Sequence, residues 1–189
     1  MPFFIAMKSP DKNITQQLVN TAESLFDQQG FNATGMGQLI RATGISSRTV
    51  YKHVGSKQAL IVDVLSQRQQ RFQTVFEANN IDTLFVQLRQ WLEDHGARGC
   101  LFLRAYAEHA DDSMQEILSQ CVREHKDGLQ THIEQLLVHE DILPERRSML
   151  AEQLLLVFEG ATAAAVYRGV AAVESARKLA QQLLQQARQ

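Results

Sequence analysis

Six of the seven residues from Ser47 to His53 (Ser47, Arg48, Thr49, Tyr51, Lys52 and His53) carry hydroxyl, guanidinium, ammonium or imidazole groups. The chain shows no paired carboxylates in a defined frame, no Ser/His/Asp or Cys/His arrangement, no phosphate-cradling glycine loop and no metal spacing, which argues against an enzyme. The chemistry available is recognition by hydrogen bonding and positive charge. Arg48 is a planar fork able to pair bidentately with a guanine edge or a phosphate. Ser47 and Thr49 can reach base edges or phosphates, and the Thr49 methyl suits a thymine methyl. Lys57 brings a further charge to a helix start, where backbone N–H groups add to the attraction for phosphate.

Those side chains need elements to aim them. A short helix over 36–43, with Met36, Leu39 and Ile40 inward, stops at Gly44. Ser46 then caps a second helix whose buried face is Val50 and Val54. Two short helices across a glycine turn form a helix-turn-helix, and the second is the one a major groove accepts. Upstream, Ile14, Leu18, Ala22, Leu25 and Phe26 recur at helical spacing until Gly30. Ser56 is placed to cap a fourth helix running to about Phe76, and Asn79-Asn80 marks the break after it. Beyond it, periodicity predicts helices near 82–95, 98–110, 113–138, 147–168 and 173–188, with no strand alternation. The fold class is therefore all-α. A small N-terminal three-helix head over 8–68 is expected to read DNA, joined to a larger helical domain over 69–189.

Composition agrees with a soluble globular chain: 44% hydrophobic, 21% charged, and few breakers with 10 Gly and 3 Pro in 189 residues. No apolar run approaches the roughly 18 residues of a membrane span, so no membrane partner is expected. The apolar opening Met1–Met7 is too short for a signal peptide. Cys100 and Cys121 read as reduced thiols, and the expected compartment is the cytoplasm. Between Lys8 and Arg71, eight basic residues face four acidic ones, a surplus of four. With −2 overall, the rest of the chain carries −6. A basic head on an acidic body suits nucleic acid.

The run Gly44-Ile-Ser-Ser-Arg-Thr-Val-Tyr-Lys-His-Val-Gly-Ser-Lys-Gln-Ala-Leu60 resembles the TetR family of bacterial one-component transcription factors. The likeness extends from Ile14 to Leu60. Gly35 and Gly37 depart from the pattern and should weaken the first turn of the second helix by roughly 0.5–1 kcal/mol each. Ile40 and Val54 stand where the family commonly has alanine and phenylalanine. The resemblance implies that Thr34, Tyr51 and His53 contact phosphates, with Lys52 near the groove.

A recognition helix of about seven residues spans only about 10 Å, so useful specificity needs two copies on a palindromic operator, with half-sites about 34–36 Å apart or somewhat more. Small residues around Gly160 and Ala164, flanked by Leu154, Leu155, Phe158, Leu179, Leu183 and Leu184, make the last two helices (about 148–188) resemble the family's homodimer interface. An intrachain core for the same helices is the alternative. The central helices are expected to enclose a pocket drawing on Trp91, Cys100, Phe102, Tyr106, Cys121, Phe158, Glu159 and Tyr167, with Arg104, His109 and His125 as further polar candidates. By resemblance, the occupant is a small organic effector whose binding releases a repressor from DNA.

Three alternatives stay open: an activator, a redox or electrophile sensor through Cys100 near a helix start, and a head that binds protein instead of DNA. His125, His132 and His139 repeat every seven residues. That is a rise of about 10.5 Å, too far for one metal ion, so they read as a polar helix face. No metal and no cofactor is expected.

Overall fold

The computed structural model describes residues 10–109 and 113–189. The opening Met1–Met7, Lys8 and the expected helix end at Ala110 lie outside the described residues. Among the described residues all regular structure is helical. The first four helices are α1 (Pro10–Gln29), α2 (Met36–Thr43), α3 (Ser47–Val54) and α4 (Lys57–Val75). The body follows with α5 (Ile81–His95), α6 (Leu101–Glu108), α7 (Gln115–Leu137), α8 (Pro144–Arg168) and α9 (Ala171–Ala187).

Local chemistry sets these boundaries. Gly44, at φ +67°, closes α2 in the left-handed region, and its N–H donates to the Ile40 carbonyl at 3.0 Å. The Ser46 hydroxyl accepts from the Thr49 N–H at 3.3 Å, Ser56 from Ala59 at 3.1 Å, and Asn80 from Thr83 at 2.8 Å. The glycine-weakened start of α2 has its own remedy. Gln38 Oε1 accepts from the Gly35 N–H at 2.9 Å, the reach-back half of a capping box, which ties the first turn to the residue before it. Two boundaries differ from expectation. Pro144 is itself the first residue of α8, where its missing N–H is harmless. Gly99, at φ +82°, delays α6 to Leu101.

Two apolar clusters hold the molecule. One joins Leu18, Phe26, Phe31, Leu39, Val50, Val54, Leu60 and Leu65 of the first four helices to Leu101, Phe102 and Ala105 of α6. The other lies among α5, α7, α8 and α9, around Leu84, Phe85, Leu88, Ile133, Leu154, Phe158 and Val173. Fully burying side chains of this size contributes about 1.5–3 kcal/mol each. The first cluster therefore fixes the tilt of α3 and also seats α6 on the head.

The expectation of no span-length apolar stretch needs correcting. α8 contains an 18-residue window of mean hydropathy 1.4, long and apolar enough by composition to cross a membrane. One of its faces, Leu150, Ala151, Leu154, Phe158, Ala161 and Ala165, lies in the core. Its other side leaves Met149, Leu156, Val166 and Tyr167 exposed.

Candidate nucleic-acid interface and body cavities

α3 turns Val50 and Val54 into the head core, which leaves Ser47, Arg48, Tyr51 and Lys52 exposed on the opposite side. Thr49 is half-buried, its hydroxyl 2.9 Å from that of Ser46. His53 is half-buried as well, with Nδ1 3.0 Å from the Thr15 hydroxyl of α1. Lys57 stands in the first turn of α4 beside the Ser56 cap.

Cations divide sharply by position. Among the described residues Arg41, Arg48, Lys52 and Lys57 make no ion pair. Arginines on the inner side of the head are neutralised: Arg68 pairs with Glu23 at 2.9 Å, Arg71 pairs with the same carboxylate, and Arg98 pairs with Asp27 at 3.0 Å. Within the first four helices, the described cations without an ion pair are thus these four, at α2, α3 and the start of α4, and Lys12 on α1, and the group around α3 can meet phosphate.

Thr34 departs from its expected place. It is buried, and its hydroxyl donates to the Gly30 carbonyl at 2.7 Å. Its observed work is to hold the α1–α2 turn.

A seam that sequence reading missed joins α6 to that turn. Arg104 donates to the Asp27 carbonyl at 3.0 Å and to Glu108 at 2.9 Å. The Asn32 N–H donates to Glu108 at 2.7 Å, and His109 meets the edge of Phe31. Burial alone would raise the Glu108 pKa, but the bonds from Asn32 and Arg104 take it below the ordinary value. Gly30, at φ +95°, sits under this seam; a Cβ there would lie 2.7 Å from Glu108 Oε1.

In the body, a cavity of about 290 Å³ opens between α4 and α7, lined by Phe72, Phe76, His125, Leu129 and His132 among others. A second, of only about 40 Å³, lies behind it, walled by Trp91, Cys100, Phe102 and Phe158. Phe72, His125 and Leu129 belong to both walls.

Residues 18–64 match the family described as bacterial regulatory proteins, tetR family. Over those residues the head is similar to the TetR family. The HTH-type transcriptional regulator UidR of Escherichia coli is 34% identical over 55 residues, which are 29% of this chain and 28% of UidR. The match thus spans little more than a quarter of that relative. Over nearly the whole chain the fold is that of a TetR-family transcriptional regulator from Streptomyces coelicolor: TM-score 0.80 at 20% identity, covering 94% of this chain and 97% of the other. A TetR-family regulator from Cytophaga hutchinsonii aligns at TM-score 0.78 and 15% identity, covering 95% and 97%. The named relatives are transcriptional regulators, not enzymes.

Within the body the expected pocket residues separate. Trp91, Cys100, Phe102 and Phe158 do meet, around the smaller cavity. Glu159 lies beside them but is paired with Lys126 at 2.9 Å. Tyr106 and Cys121 pack instead against the head cluster, because their faces of α6 and α7 point toward the head. Tyr167 is 79% exposed, on the outer side of α8. Arg104 and His109 belong to the head–body seam.

His125 is no polar-face residue. It is 6% exposed, stacked on Phe102 at 4.0 Å, and hydrogen-bonded through Nδ1 to Gln69. Burial, followed by the nearby charges of Lys126 and Arg68, lowers its pKa to about 3. The larger cavity's own residues, Gln69, Phe72, Phe76 and His132, were absent from the expected set. Phe72 and Phe76, one helical turn apart at the end of α4, were the available signal.

Proposed function

We propose that this protein is a homodimeric, effector-responsive repressor that binds a palindromic operator in the cytoplasm. The supporting observation is the cluster of unpaired cations, Arg41, Arg48, Lys52 and Lys57, around an exposed α3, in a head whose remaining arginine, Arg68, is neutralised by Glu23. Residues 8–68 read DNA, with Ser47, Arg48 and Thr49 toward base edges and Tyr51, Lys52, His53 and Lys57 toward phosphates. Residues 69–189 take the effector and the second copy. The exposed apolar side of α8 and α9, including Leu156, Gly160, Ala164 and Leu179, supports the pairing surface. In such a dimer the two heads would be presented to successive turns of the duplex. Selection from a randomised DNA pool tests this reading. The expected product is an inverted repeat with half-sites at least one helical turn apart, and Arg48→Ala should blur one position in each half. A pool that stays random would overturn it.

A second reading is favoured by one contact: Lys126 Nζ lies 3.6 Å from Cys100 Sγ, at the start of α6. This contact sets an ammonium beside the Cys100 sulfur, which makes Cys100 a candidate for attack on electrophiles. Arg98, the neighbour expected from sequence, turns instead to Asp27. Burial raises the Cys121 pKa, against a role as an active partner thiol. Alkylation of Cys100 by iodoacetamide should slow about tenfold in Lys126→Gln. An unchanged rate would remove this reading.

A further inference from the structure

The cavity between α4 and α7 has a chemistry that selects its occupant. Phe72 and Phe76 stack with ring centroids 4.0 Å apart and supply an aromatic wall. At about 290 Å³ the space sits at the lower end of small-molecule sites, enough for one or two rings. His125, also in the wall, is held by Phe102 and by its Nδ1–H donating to Gln69 Oε1. Donation through Nδ1 fixes the tautomer and leaves Nε2 as a lone-pair acceptor. Among the described residues no hydrogen bond reaches that nitrogen, and the other histidine of the wall, His132, leaves its Nε2 buried and without a partner. His125 Nε2 is therefore an unanswered acceptor on a side chain more than nine-tenths buried.

We propose that this cavity binds a small, flat, uncharged aromatic molecule bearing a hydroxyl group, a phenol, which donates its hydrogen bond to His125 Nε2 and lays its ring against Phe72 and Phe76. Charges of both signs stand nearby, Glu77 in the lining and Lys126 and Arg68 close enough to oppose a proton on His125, so neither an anion nor a cation finds a field of one sign and a neutral occupant is favoured. Gly128 supplies part of the opening: a Cβ added there meets only Gln69 Nε2, at 3.8 Å.

The regulatory consequence rests on the proposed DNA-binding function. Phe72 lies fifteen residues along α4 from Lys57, so an occupant presses on the helix that carries the head, about 22 Å from its phosphate-facing end.

Isothermal titration of the full-length protein with 4-propylphenol, its methyl ether 4-propylanisole and 4-propylbenzoate tests the assignment. The phenol should bind at least tenfold more tightly than either analogue. In His125→Phe the phenol and the ether should become equal. Gly128→Leu should abolish binding while keeping the wild-type melting temperature. Equal affinity for phenol and ether in the wild type, tighter binding of the benzoate, no measurable phenol binding, or a phenol preference surviving in His125→Phe would each overturn the proposal. Gel retardation of the selected operator separates the two levels. DNA bound by a protein indifferent to phenol defeats only this assignment, whereas phenol bound by a protein that retards no DNA defeats the regulator reading and leaves the cavity's chemistry standing.

Discussion

The backbone N–H of Asn32 donates to Glu108 Oε2 at 2.7 Å, and the Asn32 side-chain amide donates to the Glu108 carbonyl at 2.8 Å. These residues are 76 positions apart, and their clasp fastens α6 of the body to the turn between α1 and α2 of the head. Any tilt of the head relative to α6 must break it.

Glu108→Gln should destabilise the fold by roughly 1–2 kcal/mol at neutral pH, the scale of a lost charge-assisted hydrogen bond. Because the folded-state pKa of Glu108 lies below its ordinary 4.5, the contribution is fully present above pH 4.5 and fades as pH falls through the folded value. Urea denaturation at neutral pH and again in acid should show the gap between wild type and variant closing on acidification. A gap independent of pH would contradict the assigned role.

His125 makes a second pH prediction. Its folded-state pKa of about 3 lies well below the ordinary 6.5, so the unfolded chain takes up a proton that the folded chain refuses. Stability should therefore decline as pH drops from 6.5 toward 3, by up to about 1.4 kcal/mol per pH unit for this one group. His132, also lowered by burial, adds to the same trend. His125→Phe should flatten most of the decline in chemical denaturation measured across that range. An unchanged slope would mean that the imidazole accepts its proton in place.

Leu156 is 65% exposed on α8, beside Gly160 and Ala164. Leu156→Glu should leave a folded monomer, visible as a halved mass in sedimentation equilibrium with little change in helical circular dichroism. Operator binding should fall with it, since one recognition helix reads too few base pairs. A wild-type protein that is already monomeric would rule out this surface.

Much of the head was legible in the sequence because its signals are local. Gly44, Ser46 and Ser56 act within a few residues of themselves, and each does what its type suggests. The seam was not legible: Glu23 with Arg68, Asp27 with Arg98 and Asn32 with Glu108 join distant residues whose types are common on any helix surface. Periodicity could mark Tyr106 and Cys121 as inward-facing, yet not that inward meant toward the head. Tyr167 misled for the opposite reason, being a large aromatic on an apolar helix with two apolar sides. His125 misled because a seven-residue histidine repeat looks polar until burial and stacking on Phe102 are seen.

The most direct test of the central claim is the salt dependence of operator affinity for wild type and Lys57→Ala, followed by fluorescence anisotropy across a range of potassium chloride concentrations. Each phosphate contact contributes nearly one unit to the slope of log affinity against log salt. A steep wild-type slope that becomes shallower by about one unit in Lys57→Ala, with operator preference intact, is the predicted result. A wild-type affinity indifferent to salt, or a slope that Lys57→Ala leaves untouched, would contradict the claim that the unpaired cations around α3 meet the phosphate backbone.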